Sequence, residues 1–294
     1  MNGMKDMSGM PGMVAHKSLL GLNFFELWHP IFLVILLTIA AFYLSSINKK
    51  GERVGQLKPI SFLFSLVVLY FSEGSPLSAL GHHYSFSAHM LSMSLTYFVF
   101  PPLFLGGLYE WMLLPYVRNR AIKAFINKVT QPILAVSLFN LLISFYHVPV
   151  IFNFIMSRMV YMNCALVILS FFAFVMWWVI IEPTSETRTI SDLQKLGYVF
   201  VASVLLTPAC AMITFADHFL YQKIAMEPTY FSDLPPLQDQ STGGVIMKIV
   251  QELVFICTFG YIFYRWSKRE NPSKDNDLNP KLSTIKQNLP VFKK

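Results

Sequence analysis

The sequence has few charged residues, which make up 13% of its 294 positions, whereas an ordinary soluble domain has about 25%. Hydrophobic residues make up 54% of the chain, more than a water-soluble core can bury. The strand-length alternation of a membrane barrel is also absent. Because backbone polar groups in lipid must be hydrogen-bonded within their own element, we predict an all-α, polytopic transmembrane bundle.

Cysteine is scarce, and the motifs of common catalytic sites are missing. Cys164, Cys210 and Cys257 all lie in apolar segments without paired spacing, so no disulfide framework is expected. Cys210 is expected to pack as an inert buried thiol. There is no phosphate loop, no GxSxG and no HExxH, so nothing indicates nucleotide binding, acyl transfer or metal-dependent hydrolysis.

Seven apolar runs reach the roughly 20 residues that a helix needs to cross about 30 Å of hydrocarbon. They are residues 30–47, 57–77, 86–109, 131–152, 159–181, 195–218 and 244–266. No small-residue cleavage pattern follows the first run, so we expect a permanent span rather than a secretory signal. Pro101 and Pro102 predict a break or kink inside the third run. We divide the chain into an extracytoplasmic leader (1–29), a seven-helix domain (30–266) and a basic, disordered cytoplasmic tail (267–294).

Basic residues are distributed unevenly between the two sides of the predicted bundle. The connections after spans one, three and five, with the tail, hold 18 Lys and Arg, and the other side holds 5. Because basic residues are retained in the cytoplasm, this predicts an outer N-terminus and an inner C-terminus in a multi-pass protein of the cell membrane. The formal charge of +7 is therefore a topology signal and not a sign of nucleic-acid binding. Lys248 and Glu252, four residues apart in the last span, are expected to form a structural ion pair.

All seven histidines fall on the predicted outer side, in loops or at helix ends. They are His16, His29, His82, His83, His89, His147 and His218. Neutral imidazole is a common metal ligand, and a site facing outward can receive a metal without a transport step. This asymmetry predicts a metal site at the extracytoplasmic face.

The leader repeats methionine at every third residue in a Gly-rich setting. These residues are Met1, Met4, Met7, Met10 and Met13. Thioether sulfur is soft and favours Cu(I) over hard cations, so the segment is a candidate for copper capture. The alternative is a low-complexity leader whose methionines are incidental.

The start of the third span combines nitrogen and sulfur donors. His89 and Met93, four residues apart, share one helical face and form half of a candidate Cu(I) site. His82 and His83 are expected to supply further ligands from the connecting loop. The alternative is a helix-end histidine hydrogen-bonded to a neighbour, with Met93 as ordinary packing.

Spans four and six offer further candidate ligands. In span four, Asn140, Ser144 and His147 share a face, which brings a third imidazole to the same level. Interhelical hydrogen bonding explains Asn140 and Ser144 equally well.

In span six, we predict one helical stripe that leads toward the outer end, made of Cys210, Thr214, Asp217 and His218. Asp217 is expected to orient an imidazole or to act as a ligand. An interfacial polar cap is the alternative.

Two motifs of span three resemble a known family. Ser87-Ala88-His89-Met90, followed by Phe100-Pro101-Pro102-Leu103, looks like the signature of the CtaG family of cytochrome c oxidase assembly proteins. Trp28-His29-Pro30 and Leu206-Thr207-Pro208 also resemble that family. The Met-rich leader and residues 87–93 look closest to its Bacillus-type member. Many relatives have a second histidine where this chain has Met93, which leaves a soft His-Met site.

The resemblance implies a protein needed to form an active caa(3)-type haem-copper oxidase, at a step involving copper delivery and without catalytic turnover. Its expected partners are the oxidase subunits or other copper chaperones. Two alternatives stay open. A copper transporter would need ligands in the inner half, which offers few beyond Met176 and Cys257. A haem-binding membrane protein would use His89, His147 and His218 as axial ligands.

Overall fold

The computed structural model describes residues 23–50, 55, 57–222 and 234–270, with His83 described by its backbone alone. The regular structure in this part of the chain is helical. The helices are α1 (Phe24–Trp28), α2 (Pro30–Lys50), α3 (Leu57–Glu73), α4 (Pro76–His83), α5 (Phe86–Ser94), a π-helical segment (Leu95–Val99), α6 (Phe100–Gly107), α7 (Glu110–Val117), α8 (Arg120–Val129), α9 (Pro132–Tyr146), α10 (Pro149–Ile155), α11 (Met159–Ile181), α12 (Asp192–Thr214) and α13 (Pro236–Glu270).

Five helical stretches are long and apolar enough to cross a bilayer, and two bent helix pairs bring the number to as many as seven. The predicted all-α membrane bundle is therefore confirmed. The fifth predicted span, 159–181, coincides with α11. The bent pairs are α3 with α4, at 41°, and α8 with α9, at 66°.

The second predicted span is not a single helix. A Cβ at Gly74 would lie 2.5 Å from the Tyr70 ring and 2.9 Å from Phe32, so the chain passes too close there for a side chain. Ser75 then caps α4 by accepting a hydrogen bond from the Leu77 N–H, 3.2 Å long. The prediction of a loop at His82 and His83 is consequently wrong, because both belong to this new helix.

Pro101 and Pro102, where a break or kink was predicted, lie just after a π-helical segment inside one continuous span, Phe86–Gly107. Neither proline has an N–H, so the preceding turn opens into the π-helical segment and leaves the Tyr97 carbonyl without a helical donor. The buried Trp177 indole of α11 donates to that carbonyl at 3.0 Å. A side chain from a neighbouring helix thus supplies the hydrogen bond that the prolines cannot give to the Tyr97 carbonyl.

The core lies where α5, α9, α11, α12 and α13 meet. Two adjacent glycines let α13 fit between α5 and α12. A Cβ at Gly243 would meet Phe86 and Met90, and one at Gly244 would meet Thr214. Cys210 is buried in this core, as predicted, and the three cysteines are free thiols.

The predicted ion pair in the last span is confirmed. Lys248 and Glu252 lie on successive turns of α13, with Nζ and Oε1 2.5 Å apart. Lys248 also donates to the Thr207 hydroxyl at 2.8 Å, and Ser203 donates to Glu252 at 2.6 Å. The pair therefore ties α13 to α12.

Polar contacts define two opposite ends of the bundle. At the basic end, Lys123 pairs with Glu186 at 2.8 Å, Lys195 with Glu182 at 2.6 Å, and Arg269 with Asp192 at 2.8 Å. Asp239 lies thirty residues before Arg269 on the same helix, about 45 Å away at the rise of an α-helix. We call the end around Asp239 the imidazole end, since His82, His89 and His147 lie there.

Candidate functional site

The N-terminus of α5 is held by a carboxylate from another helix. Asp239 of α13 accepts the Phe86 backbone N–H at 2.6 Å and the Ser85 hydroxyl at 3.1 Å, and it also accepts the Ser87 hydroxyl. The first N–H groups of a helix have no partner within the helix, and the helix dipole is positive at this end, so a negative charge is favourable here. The contact fixes the first turn of α5, which carries His89.

His89 is buried and faces two helices. Its Nε2 forms a hydrogen bond of 3.0 Å with the Tyr146 hydroxyl at the end of α9. Its ring centroid is 5.8 Å from that of His82 on α4. This approach depends on Gly81, where a Cβ would lie 2.8 Å from the His89 Cα and N atoms.

His147 has one ring nitrogen without a hydrogen-bond partner in the part of the chain that the structure describes. Its Nδ1 is 2.7 Å from the Ile143 carbonyl, which can only accept, so Nδ1 carries the proton. In the neutral ring, Nε2 is then an unprotonated lone-pair donor. It is buried, and within the described residues it has no hydrogen-bond partner. Tyr221 holds the His147 backbone by donating to its carbonyl at 2.7 Å.

Aromatic rings surround these imidazoles. The Phe152 ring lies 5.5 Å from His89 and 5.4 Å from Tyr146, and Tyr221 stacks on Phe86 at 4.4 Å. Phe86 and Phe152 are fully buried. Burial of this kind disfavours a charged imidazole, so neutral rings that can act as ligands are expected here.

The structure brings together some of the predicted ligands. His89 and His147 both lie against the Tyr146 ring, His82 lies against His89, and Met93 is buried one turn further along α5. Within the described ranges, no group of three His, Cys, Asp or Glu side chains is arranged to hold a metal ion. The candidate site therefore consists of separate imidazoles, and His147 has an open nitrogen.

The stripe predicted for span six is wrong beyond Thr214. α12 ends at that residue, and Asp217 and His218 follow it in the irregular segment that leads to Tyr221. Their side chains are exposed, unlike the three imidazoles. On the face of α9 predicted to carry Asn140 and His147, Asn140 donates to the Val136 carbonyl of its own helix at 2.8 Å. His147 on the same face keeps an open nitrogen.

Two groups of predicted ligands lie outside the described residues. They are the leader methionines Met1, Met4, Met7, Met10 and Met13, and the side chain of His83. Their role in metal capture stays a prediction.

Sequence reasoning missed three polar residues at this end. Tyr146 and Asp239 act through contacts between helices distant in sequence. Glu73, at the end of α3, accepts from the Thr96 hydroxyl at 2.7 Å, and Thr96 also bonds Ser72. For Glu73, the sequence offered one signal, which is a single acidic residue at the end of an apolar run and directly before Gly-Ser-Pro.

Comparison with known proteins identifies a family. A family model described as "cytochrome c oxidase caa3 assembly factor (Caa3_CtaG)" matches residues 41–269, which is well over half of the chain. The matched range includes all helices from the second half of α2 to nearly the end of α13. Neither the curated proteins nor the solved structures gave a match.

Proposed function

We infer the function of this chain from its family, because it belongs to the cytochrome c oxidase caa3 assembly factors. We propose that it binds Cu(I) at the imidazole end and assists formation of a copper centre in a caa(3)-type oxidase. The open Nε2 of His147 is the observation that supports this most strongly, because a buried lone pair without a hydrogen bond is costly unless something binds it.

The donors at this end suit a soft, monovalent metal. Imidazole nitrogen and thioether sulfur both bind copper, and neutral ligands avoid the cost of burying extra charge. We assign the metal to His147 and His89, with His82 and Met93 as further donors and with His83, Asp217 and His218 as peripheral candidates. The copper is cargo in this proposal, and the chain performs no chemistry on it.

Capture and holding are assigned to different parts of the chain. The leader methionines Met4, Met7, Met10 and Met13 would collect Cu(I), and the imidazoles would hold it until transfer. Tyr146 donates to or accepts from His89, so it keeps that ring oriented while the metal is absent. Direct contact with oxidase subunits, or with another copper chaperone, completes the proposed sequence.

The imidazole end is proposed to face outward, in a cell-membrane protein. The unequal distribution of Lys and Arg supports this orientation, because basic loops are retained in the cytoplasm. A reporter fused after Lys294 is expected to be active only in the cytoplasm. A reporter active outside would place the imidazoles on the cytosolic face and remove the proposed role.

Oxidase activity tests the assembly role. In a strain that depends on this chain, His147→Asn and His89→Ala are expected to leave caa(3)-type oxidase deficient in copper, with its subunits still made. His29→Asn is a matched control, since His29 is exposed and has φ 38°, a conformation that asparagine adopts readily. Full oxidase activity in both imidazole variants would refute the copper proposal.

Two other functions predict different measurements. Copper transport requires donors through the inner half, where Met176 is fully buried in the core and Cys257 is exposed on α13. Copper uptake into vesicles dependent on this chain would favour transport. A Soret band in the purified protein would favour haem binding.

A further inference from the structure

A cavity of about 350 Å³ lies at the basic end, far from the imidazoles. It is open on one side and is lined by the start of α3, the ends of α6 and α11, the start of α12 and the last third of α13. Its volume falls in the range of about 300–1,000 Å³ that is typical of small-ligand sites. We propose that this cavity binds the phosphate headgroup of an anionic phospholipid.

The acidic residues that line the cavity already have partners. The Glu182 carboxylate accepts Lys195 Nζ at 2.6 Å with one oxygen and the Ile190 N–H at 2.8 Å with the other. Asp192 accepts Arg269 at 2.8 Å. These contacts neutralise both carboxylates locally, so they do not repel an anion strongly.

Two lining cations remain available to an anion. Lys58 donates one hydrogen bond, 3.1 Å long, to the Leu108 carbonyl, and an ammonium group has three donors. Arg265 is exposed and lies over the Tyr261 ring at 5.7 Å, and no hydrogen bond to its guanidinium is seen among the described residues. Glu110 also interacts with Lys58, but its carboxylate accepts hydrogen bonds from Ser185. The cavity therefore presents positive charge from two sides.

The remaining lining favours a lipid over a soluble anion. Leu105, Leu108 and Ile262 give the cavity apolar walls, and Tyr261 is 62% exposed on the outer surface of α13. The lining groups lie toward the basic end of the spans, where we expect lipid headgroups to meet water. Basic pockets between transmembrane helices bind lipid headgroups in this way.

Titration of the purified full-length protein in detergent tests this site. Dioleoyl phosphatidylglycerol is expected to bind at least tenfold more tightly than dioleoyl phosphatidylcholine, measured by native mass spectrometry. Lys58→Gln with Arg265→Gln should weaken phosphatidylglycerol binding about 30-fold, since each cation near an anionic lipid contributes about fivefold.

A matched pair distinguishes the site from general attraction. Arg120→Gln with Lys128→Gln removes two cations from α8, at the same end and outside the cavity lining, and is expected to change binding less than threefold. Equal loss in both double variants would refute a specific site. Displacement of the lipid by inorganic phosphate at equal concentration would overturn the lipid assignment, as would equal binding of the two lipids.

Discussion

The Asp239 carboxylate of α13 accepts a 2.6 Å hydrogen bond from the backbone N–H of Phe86, the first residue of α5. The two residues are 153 positions apart, and this contact adds to the cap that Ser85 gives the start of α5. His89 lies at the end of this first turn. One end of the last helix therefore positions the first turn of the helix that carries the candidate ligand.

Replacement of Asp239 tests that relationship. Asp239→Ala is expected to lower the free energy of unfolding by about 1–2 kcal/mol, the usual cost of removing a helix cap. Asp239→Asn keeps an acceptor and should cost less. Unfolding in detergent, followed by circular dichroism, measures both. Equal stability of the wild type and Asp239→Ala would show that the cap contributes nothing.

The Trp177 indole should matter through its hydrogen bond. Trp177→Phe leaves the Tyr97 carbonyl buried without a donor and is expected to cost about 1–3 kcal/mol. Trp178→Phe is the control, because that half-buried indole donates to a hydroxyl, Thr187, at 3.2 Å. Thermal unfolding of the two variants side by side measures the difference. A larger loss in the control would contradict this role for Trp177.

Gly81 is expected to set the separation of α4 and α5. In Gly81→Ala, the new Cβ would meet His89 backbone atoms at 2.8 Å and force the two helices apart. We expect lower stability and weaker copper binding. Gly197→Ala has open space and should be neutral or stabilising by up to about 1 kcal/mol. Unchanged copper affinity in Gly81→Ala would show that metal binding does not depend on the close approach of His82 and His89.

Acid should loosen the basic end through Glu110. Hydrogen bonds from Ser185 hold the pKa of Glu110 below its usual range. A carboxyl whose pKa is lowered on folding stabilises the folded state above its ordinary value, near 4.3, and loses that contribution as the pH falls further. Limited proteolysis near residue 185 should therefore accelerate below about pH 4.5. Ser185→Ala should flatten this pH dependence, and an unaltered profile would argue against the contact.

The sequence predicted the bundle well because lipid imposes a single length and polarity on each span. Residues 159–181 were predicted without error, and the Lys248–Glu252 pair followed from helical spacing alone. The break between α3 and α4 at Gly74 and Ser75 was missed because it has no distinctive local sequence. The Pro101-Pro102 and Gly243-Gly244 pairs give similar helix-breaking signals elsewhere. Only the contact with Tyr70 and Phe32 distinguishes the break at Gly74.

The candidate site was predicted only in part. The position of His82, His89 and His147 at one end followed from their places in the chain. The hydrogen bond of Tyr146 and the cap from Asp239 join helices far apart in sequence, and no local pattern encodes such pairs. That the Nε2 of His147 stays open depends on the Ile143 carbonyl, a backbone atom that sequence reasoning does not locate.

The most direct test is the Cu(I) affinity and stoichiometry of the full-length protein under reducing conditions, for wild type, His147→Asn and His147→Gln. Asparagine retains a donor near Nδ1 for Ile143 but lacks Nε2, whereas glutamine places its amide nearer to Nε2. Tight binding in the wild type, weakened at least tenfold in His147→Asn with stability preserved, is the predicted result. Unchanged affinity in both variants, or no copper bound by the wild type, would contradict copper binding at the imidazole end.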